Sequence, residues 1–161
     1  MENNALRLLI PWDFTPVAEN ALKYAVKIGS LTTSATVELI HVIESGGLFA
    51  KGKLSEKEAI EKLKEEYNRI KGTYGIEVKT TVMEGNIFHT ISDHASDTNA
   101  DLVIMGTHGI KGVQKLTGSW ALKVIAGSSV PFLVVQDTPR EKRVFEHVVM
   151  PLDFSFDEKA K

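Results

Sequence analysis

Three short runs, Leu8-Leu9-Ile10, Leu102-Val103-Ile104 and Phe132-Leu133-Val134-Val135, contain no polar residue to turn toward water. A half-exposed strand alternates apolar with polar side chains, whereas a strand apolar at every position needs cover on both faces. That requirement points to a parallel sheet held between layers of helices. Two further strand-like segments complete the pattern, so strands are expected at residues 6–11, 36–43, 77–83, 101–105 and 131–136.

The intervening segments read as amphipathic helices. The first has Thr15 as N-cap and Pro16 at the first helical position, places Ala21, Leu22, Ala25, Val26 and Ile28 on one face, and stops near Gly29. The second opens with the capping box Ser55-x-x-Glu58 and runs through Ile60, Leu63 and Tyr67 to Gly72. The third starts at Asn86, with Ile87, Ile91 and Ala95 at fourfold spacing. A fourth is expected over 119–126, stopped by Gly127. Strands alternating with helices call for right-handed βαβ units, hence an α/β fold: a doubly wound, Rossmann-like five-stranded parallel sheet with helices on both faces. The glycine-rich stretch 45–54 is longer than most such connections and is expected as a loop able to act as a flap.

With 161 residues, the chain is long enough for one domain with a substantial core and a short remainder. A net charge of −2 gives no electrostatic footprint for nucleic acid. The absence of cysteine removes disulfides, thiol catalysis and thiolate metal sites. The opening residues lack a basic segment ahead of a long apolar run, and no stretch approaches the ~20 apolar residues of a membrane span. The expected location is cytoplasmic, with neither nucleic acid nor membrane as partner.

Residues 147–155 repeat the pattern of residues 7–15. Pro151, Asp153 and Phe154 fall 140 positions after Pro11, Asp13 and Phe14, and Ser155 answers Thr15. Residues 1–140 are therefore expected to form one domain, and residues 141–161 a linker with the first strand of a second copy. An isolated apolar strand at 148–152 is expected to pair with another chain or fold back on its own sheet.

In a doubly wound sheet, ligands bind beyond the carboxyl ends of the strands, where the strand order reverses. Two loops meet this rule, 12–15 and 106–118. Met105-Gly106-Thr107-His108-Gly109, followed by Gly118-Ser119, takes a strand into glycines and then a hydroxyl residue opening a helix. Backbone amides free of side chains and a helix N-terminus together cradle phosphate. If the first and fourth strands are neighbours, Asp13 lines the same cleft. Its carboxylate then either accepts from ribose hydroxyls or an adenine amino group, or caps the helix beginning near Pro16.

Taken together, Pro11-x-Asp13-Phe14-Thr15, His41-Val42, the glycine segment and Val130-Pro131-Phe132-Leu133-Val134-Val135 resemble the universal stress protein family over residues 5–137. The resemblance implies a five-stranded sheet like that of the adenine nucleotide alpha hydrolases, dimerisation, and tandem copies in many relatives. The chain would then be the N-terminal half of a tandem member. The resemblance also implies binding of ATP, with magnesium accompanying the phosphates. Gly106 and Gly109 would approach ribose and phosphates, and Gly118 and Ser119 would hold the outer phosphates. Asp13 would face the adenosine and the Val42 backbone the adenine edge, with Pro11 and Trp120 completing the contacts. Eight residues separate Gly109 from Gly118, one fewer than in the family's G-x2-G-x9-G-[ST] pattern. Trp12 and Trp120 also stand where smaller residues are usual. Trp12 either stacks on adenine or fills its pocket. These departures keep open a second reading, a nucleotide-free dimerisation and protein-interaction module.

Other constellations carry less. His89 and Asp93 share a helix face, but His94 is turned away by about 100° and no third ligand converges. His108, inside the glycine segment, is a nearer candidate phosphate neighbour that the resemblance marks as structural, and His41 ends a strand and can point either way. Ser119, Ser128 and Ser129 lack a nucleophile elbow and a His–Asp partner set, and no Walker A or G-x-G-x-x-G pattern occurs. The charges of 51–71 balance as a solvated helix face. No enzyme is visible in the sequence; any ATP hydrolysis would be slow. The expected role is that of a nucleotide-responsive sensor or switch.

Overall fold

The computed structural model describes residues 5–44, 54–107, 125, 127–136 and 149. The elements run β1 (Leu6–Pro11), α1 (Pro16–Gly29), β2 (Ala35–Glu44), α2 (Glu56–Tyr74), β3 (Val78–Gly85), α3 (Ile87–Asp97), β4 (Leu102–Gly106) and β5 (Phe132–Val135). All strand pairs are parallel, in the order β3-β2-β1-β4-β5. The doubly wound sheet is thus as expected, with strand limits within about two residues. The fourth helix expected at 119–126 and the repeat at 147–155 lie outside the described residues, apart from Ile125 and Val149.

The strand alternation sorts side chains onto two faces. Leu8, Ile10, Val37, Leu39 and Ile104 join Ala18, Ala21, Leu22 and Ala25 of α1 and Leu63 and Ile70 of α2 in one core. Leu9, Ile40 and Val103 pack with Ile91 and Ala95 of α3 on the other face. Helices therefore cover both faces, and burial from both sides explains the apolar runs of β1 and β4, whereas β5 lies at the sheet edge and leaves Val134 40% exposed.

α2 departs from expectation in two particulars. Ile60 is 51% exposed, while Ala59, one position earlier, is buried with Leu63 and Ile70. One residue is 100° of helix, enough to carry a side chain from core to solvent. The helix also continues past Gly72 to Tyr74 and ends at Gly75, whose φ of 66° supplies the left-handed turn in which its own N–H donates to the Lys71 carbonyl. Its start is as expected: Ser55 Oγ accepts from Glu58 N–H, and Glu58 Oε2 accepts from Ser55 N–H at 2.8 Å.

Two polar clusters tie helices to their surroundings. Arg69 of α2 donates to Glu66 and across to Glu19 of α1, while Tyr74 Oη donates to the other Glu19 oxygen at 2.7 Å. Burial, and then the Glu19 carboxylate, push the Tyr74 hydroxyl up to about 12. Beneath α3, Glu38 of β2 accepts at one oxygen from Thr81 Oγ1 (2.7 Å), His94 Nε2 (2.8 Å) and Lys79 Nζ (3.1 Å). Burial alone would raise the Glu38 carboxyl, but the three hydrogen bonds together outweigh it and hold the group below the ordinary carboxylate range. A carboxyl depressed on folding stabilises the protein above its unfolded-state pKa, and that contribution disappears as pH falls through the folded-state value. Glu38→Gln is therefore expected to lower the melting temperature at neutral pH. The gap to the parent should narrow as pH falls below the ordinary carboxylate range and close once Glu38 is protonated in the folded protein, where both side chains are neutral. A gap independent of pH, from melting curves across that range, would refute the assignment.

Candidate functional site

The strand order reverses beside β1. From β1 the chain moves outward through β2 to β3, then returns to lay β4 on the opposite side of β1. The carboxyl ends of β1 and β4 therefore flank the switch-point crevice of the fold. The structure brings Pro11, Asp13 and Gly106 to this end, with Val42 on the neighbouring β2. Gly109, Gly118, Ser119 and Trp120 lie outside the described residues.

At the β1–α1 turn Asp13 serves the entry to α1 through Thr15. Asp13 Oδ1 accepts from Thr15 N–H at 3.1 Å and from the Thr15 hydroxyl. Thr15 is the N-cap by position, yet its side chain caps no helical amide because the hydroxyl is given to Asp13. The carboxylate is exposed, so it sits at the mouth of the crevice with one oxygen fixed and its orientation set.

Between these two residues Phe14 has a φ of 63°, a left-handed backbone that costs a non-glycine residue about 1–2 kcal/mol. Its ring packs tilted against the His41 imidazole, with centroids 4.9 Å apart, and the Lys62 ammonium lies 5.5 Å from the ring centre. A ring pair contributes roughly 0.5–1.5 kcal/mol and an exposed cation–π contact about 0.5–1, which together match the strain.

His41 also alters the sheet. Trp12 N–H donates to the Ile40 carbonyl at 2.8 Å, the last rung between β1 and β2. The next rung of a parallel ladder would run from Val42 N–H to the Trp12 carbonyl, and it is not formed among the described residues. The Trp12 carbonyl instead accepts from His41 Nδ1 at 2.7 Å, which places the proton on that nitrogen. Backbone groups in a strand alternate in direction, so the N–H and C=O of Val42 point, like those of Ile40, toward β1. There they meet the gap beyond its end: one donor and one acceptor, two strands' width from Gly106.

Gly106 closes the other wall. A Cβ at this position would run into the carbonyl carbon and oxygen of Val17 and press on the Ala18 nitrogen. The first turn of α1 thus lies directly on the end of β4, an approach only glycine permits. The neighbouring Thr107 N–H is spent on the Val135 carbonyl at 2.8 Å.

Trp12 is not placed to stack on a ligand. Its indole is 4% exposed and packs in the core beneath α1 and α2 beside Leu8 and Ile10, offering no face for stacking. Among the described residues the Nε1–H has no partner. His94 is committed to Glu38, while His89 and Asp93 are exposed; among the described residues no group of three metal-ligating side chains converges. Sequence reasoning missed Phe14 and His41 as elements of the turn. The one available signal was an aromatic residue at each of two adjacent strand ends.

The comparisons with known proteins agree with this geometry. The chain is 32% identical over 150 residues to universal stress protein MJ0531 of Methanocaldococcus jannaschii, spanning 87% of each. It superposes on the solved structure of MJ0577, from the same organism, with a TM-score of 0.63 and 31% identity, covering 83% of this chain and 96% of that one. A universal stress protein solved in complex with cAMP shares the fold at 18% identity and a TM-score of 0.61, covering 82% of this chain and 97% of that one. No helix among the described residues is long and apolar enough to cross a membrane. A profile of the universal stress protein family matches residues 5–136, and the chain belongs to that family.

Proposed function

We propose that the chain binds an adenine nucleotide, ATP with magnesium, in the crevice between β1 and β4, and works as a nucleotide-responsive switch rather than as an enzyme. The observation that carries this reading is the Val42 backbone. A strand that outlasts its neighbour presents a donor–acceptor pair to the gap, which is the complement of an adenine edge. Beside it stands an exposed, oriented carboxylate suited to sugar hydroxyls. The cAMP held by a solved member of the same fold supports an adenine ligand for this sheet. Gly109, Gly118, Ser119 and Trp120 belong to the proposal as phosphate-side contacts, and magnesium enters with the phosphates.

The test is to denature freshly purified protein, identify any released ultraviolet-absorbing species, and titrate the emptied protein with magnesium–ATP by calorimetry. Asp13→Ala is expected to weaken binding by about 1.5–3 kcal/mol, on the order of tenfold to a hundredfold. Gly118→Val is expected to abolish it. No released nucleotide and no heat of binding would instead favour the interaction module. That alternative rests on β5, which lies at the sheet edge with Val134 40% exposed, where a second copy can extend the sheet. We also read the repeat at 151–155 as the start of a second unit of the same kind; a stable, separately melting domain from a chain extended through that unit would establish it.

A further inference from the structure

We propose that Phe14 and His41 are a matched pair of positioning residues, holding the Asp13 carboxylate and the Val42 backbone in their nucleotide-ready arrangement. The proposal rests on the adenine-nucleotide reading of the crevice and extends it to two residues that need not touch the ligand.

The argument starts from a backbone that should not persist alone. A phenylalanine has no side-chain hydrogen bond to reward the left-handed region, unlike the Asn or Asp usually found there. Its φ of 63° is retained because the ring is held between the His41 imidazole and the Lys62 ammonium of α2. Strain of this kind persists only where the surroundings over-determine it. What it achieves is visible one residue to either side. The reversal at Phe14 lets the Asp13 carboxylate fold onto the amide and hydroxyl of Thr15. An extended residue 14 would set the Cα atoms of Asp13 and Thr15 about 6.6 Å apart along the strand, opening the tight turn on which this contact depends.

His41 does two things at once. Its ring face supports Phe14, and its Nδ1–H occupies the Trp12 carbonyl that would otherwise receive Val42 N–H. The first act orients a carboxylate; the second leaves a backbone donor without its ladder partner among the described residues. Both act on groups assigned to the ligand, and they act from a side chain on the α1–α2 face. His41 is half-buried, and Lys62 comes from α2, so the support is braced by two separate elements. The pair acts only through its neighbours, which makes these positioning residues and not contacts.

Two readouts on the full chain test the pair. In nucleotide-free protein, hydrogen exchange of the Thr15 amide reports the bond to Asp13 directly. With magnesium–ATP, calorimetry reports affinity. Phe14→Ala is expected to speed Thr15 exchange and weaken binding, each by about tenfold, while Phe14→Tyr stays within about twofold of the parent in both. His41→Phe keeps a ring but loses the donor. It is expected to retain slow Thr15 exchange and still lose affinity by about tenfold, because Val42 N–H then closes on the Trp12 carbonyl. The proposal is overturned if Phe14→Ala leaves Thr15 exchange and affinity unchanged, or if Phe14→Tyr is as damaged as Phe14→Ala. Should the parent protein bind no adenine nucleotide, the functional reading fails, and Thr15 exchange alone then decides whether the ring pair sets Asp13.

Discussion

Gly106→Ala is expected to destabilise the protein by about 3 kcal/mol or more, the upper end of overpacking costs, and to lower the melting temperature by roughly 6–12 °C. The added methyl meets the Val17 carbonyl and the Ala18 nitrogen, and these are backbone atoms in the first turn of α1. A side chain can rotate aside, but a helix must move as a body. Displacing α1 also shifts Asp13 and Thr15, which lead into it, so the variant should bind magnesium–ATP poorly even at temperatures where it is folded. Gly72→Ala provides the opposite control. A Cβ there meets nothing within 4 Å and the position is helical, so the same substitution is expected to stabilise by about 0.4–1 kcal/mol. Thermal melts of the two variants side by side decide the matter; equal, small effects would show that α1 does not rest on Gly106 as described.

Trp12→Ala is expected to cost about 3–5 kcal/mol, the range for emptying a large aromatic site in a core, and roughly 6–20 °C in melting temperature. Trp12→Phe separates packing from polarity. It keeps most of the buried area while removing an indole N–H that has no partner among the described residues. Burying an unsatisfied donor costs about 1–3 kcal/mol, comparable to the volume lost, so this variant is expected to melt close to the parent. A residue that stacked on a ligand would behave in the reverse way, with Ala leaving stability nearly intact and affinity reduced. Melting curves and nucleotide titrations of both variants therefore distinguish a core residue from a binding residue, and a stable but non-binding Trp12→Ala would contradict the burial.

The layers of this fold were legible in the sequence because burial from both sides removes polar residues from a strand, as in β1 and β4; β5 is equally apolar yet lies at the sheet edge, with Val134 40% exposed. Local chemistry was legible for the same kind of reason. Ser55 with Glu58, and Asn86 with the amides of Phe88 and His89, are caps formed within four residues of chain. What escaped the sequence depends on distance or on dihedral angle. His94 and Glu38 lie 56 positions apart and meet only because α3 crosses β2. Gly72 and Gly75 are the same residue type, and only the backbone shows which one turns left-handed. Phe14 was hidden because aromatic residues rarely adopt positive φ. For Asp13 the structure shows the turn: one oxygen of an exposed carboxylate accepts from Thr15 at the entry to α1.

The strand order carries a consequence for how this chain is made. β1 ends at Pro11 and the partner for its second edge begins at Leu102, with β2, β3 and three helices emerging in between. At synthesis rates of 5–20 residues per second, that edge waits about 5–20 s for β4 after β1 has left the ribosome. During the wait a central strand behaves as an outer one, with its backbone amides and the Leu9 side of the sheet open to other chains. The nascent half-sheet is therefore the stage at which this protein most needs a chaperone, and crowding of ribosomes on its message would place several such open edges within reach of one another.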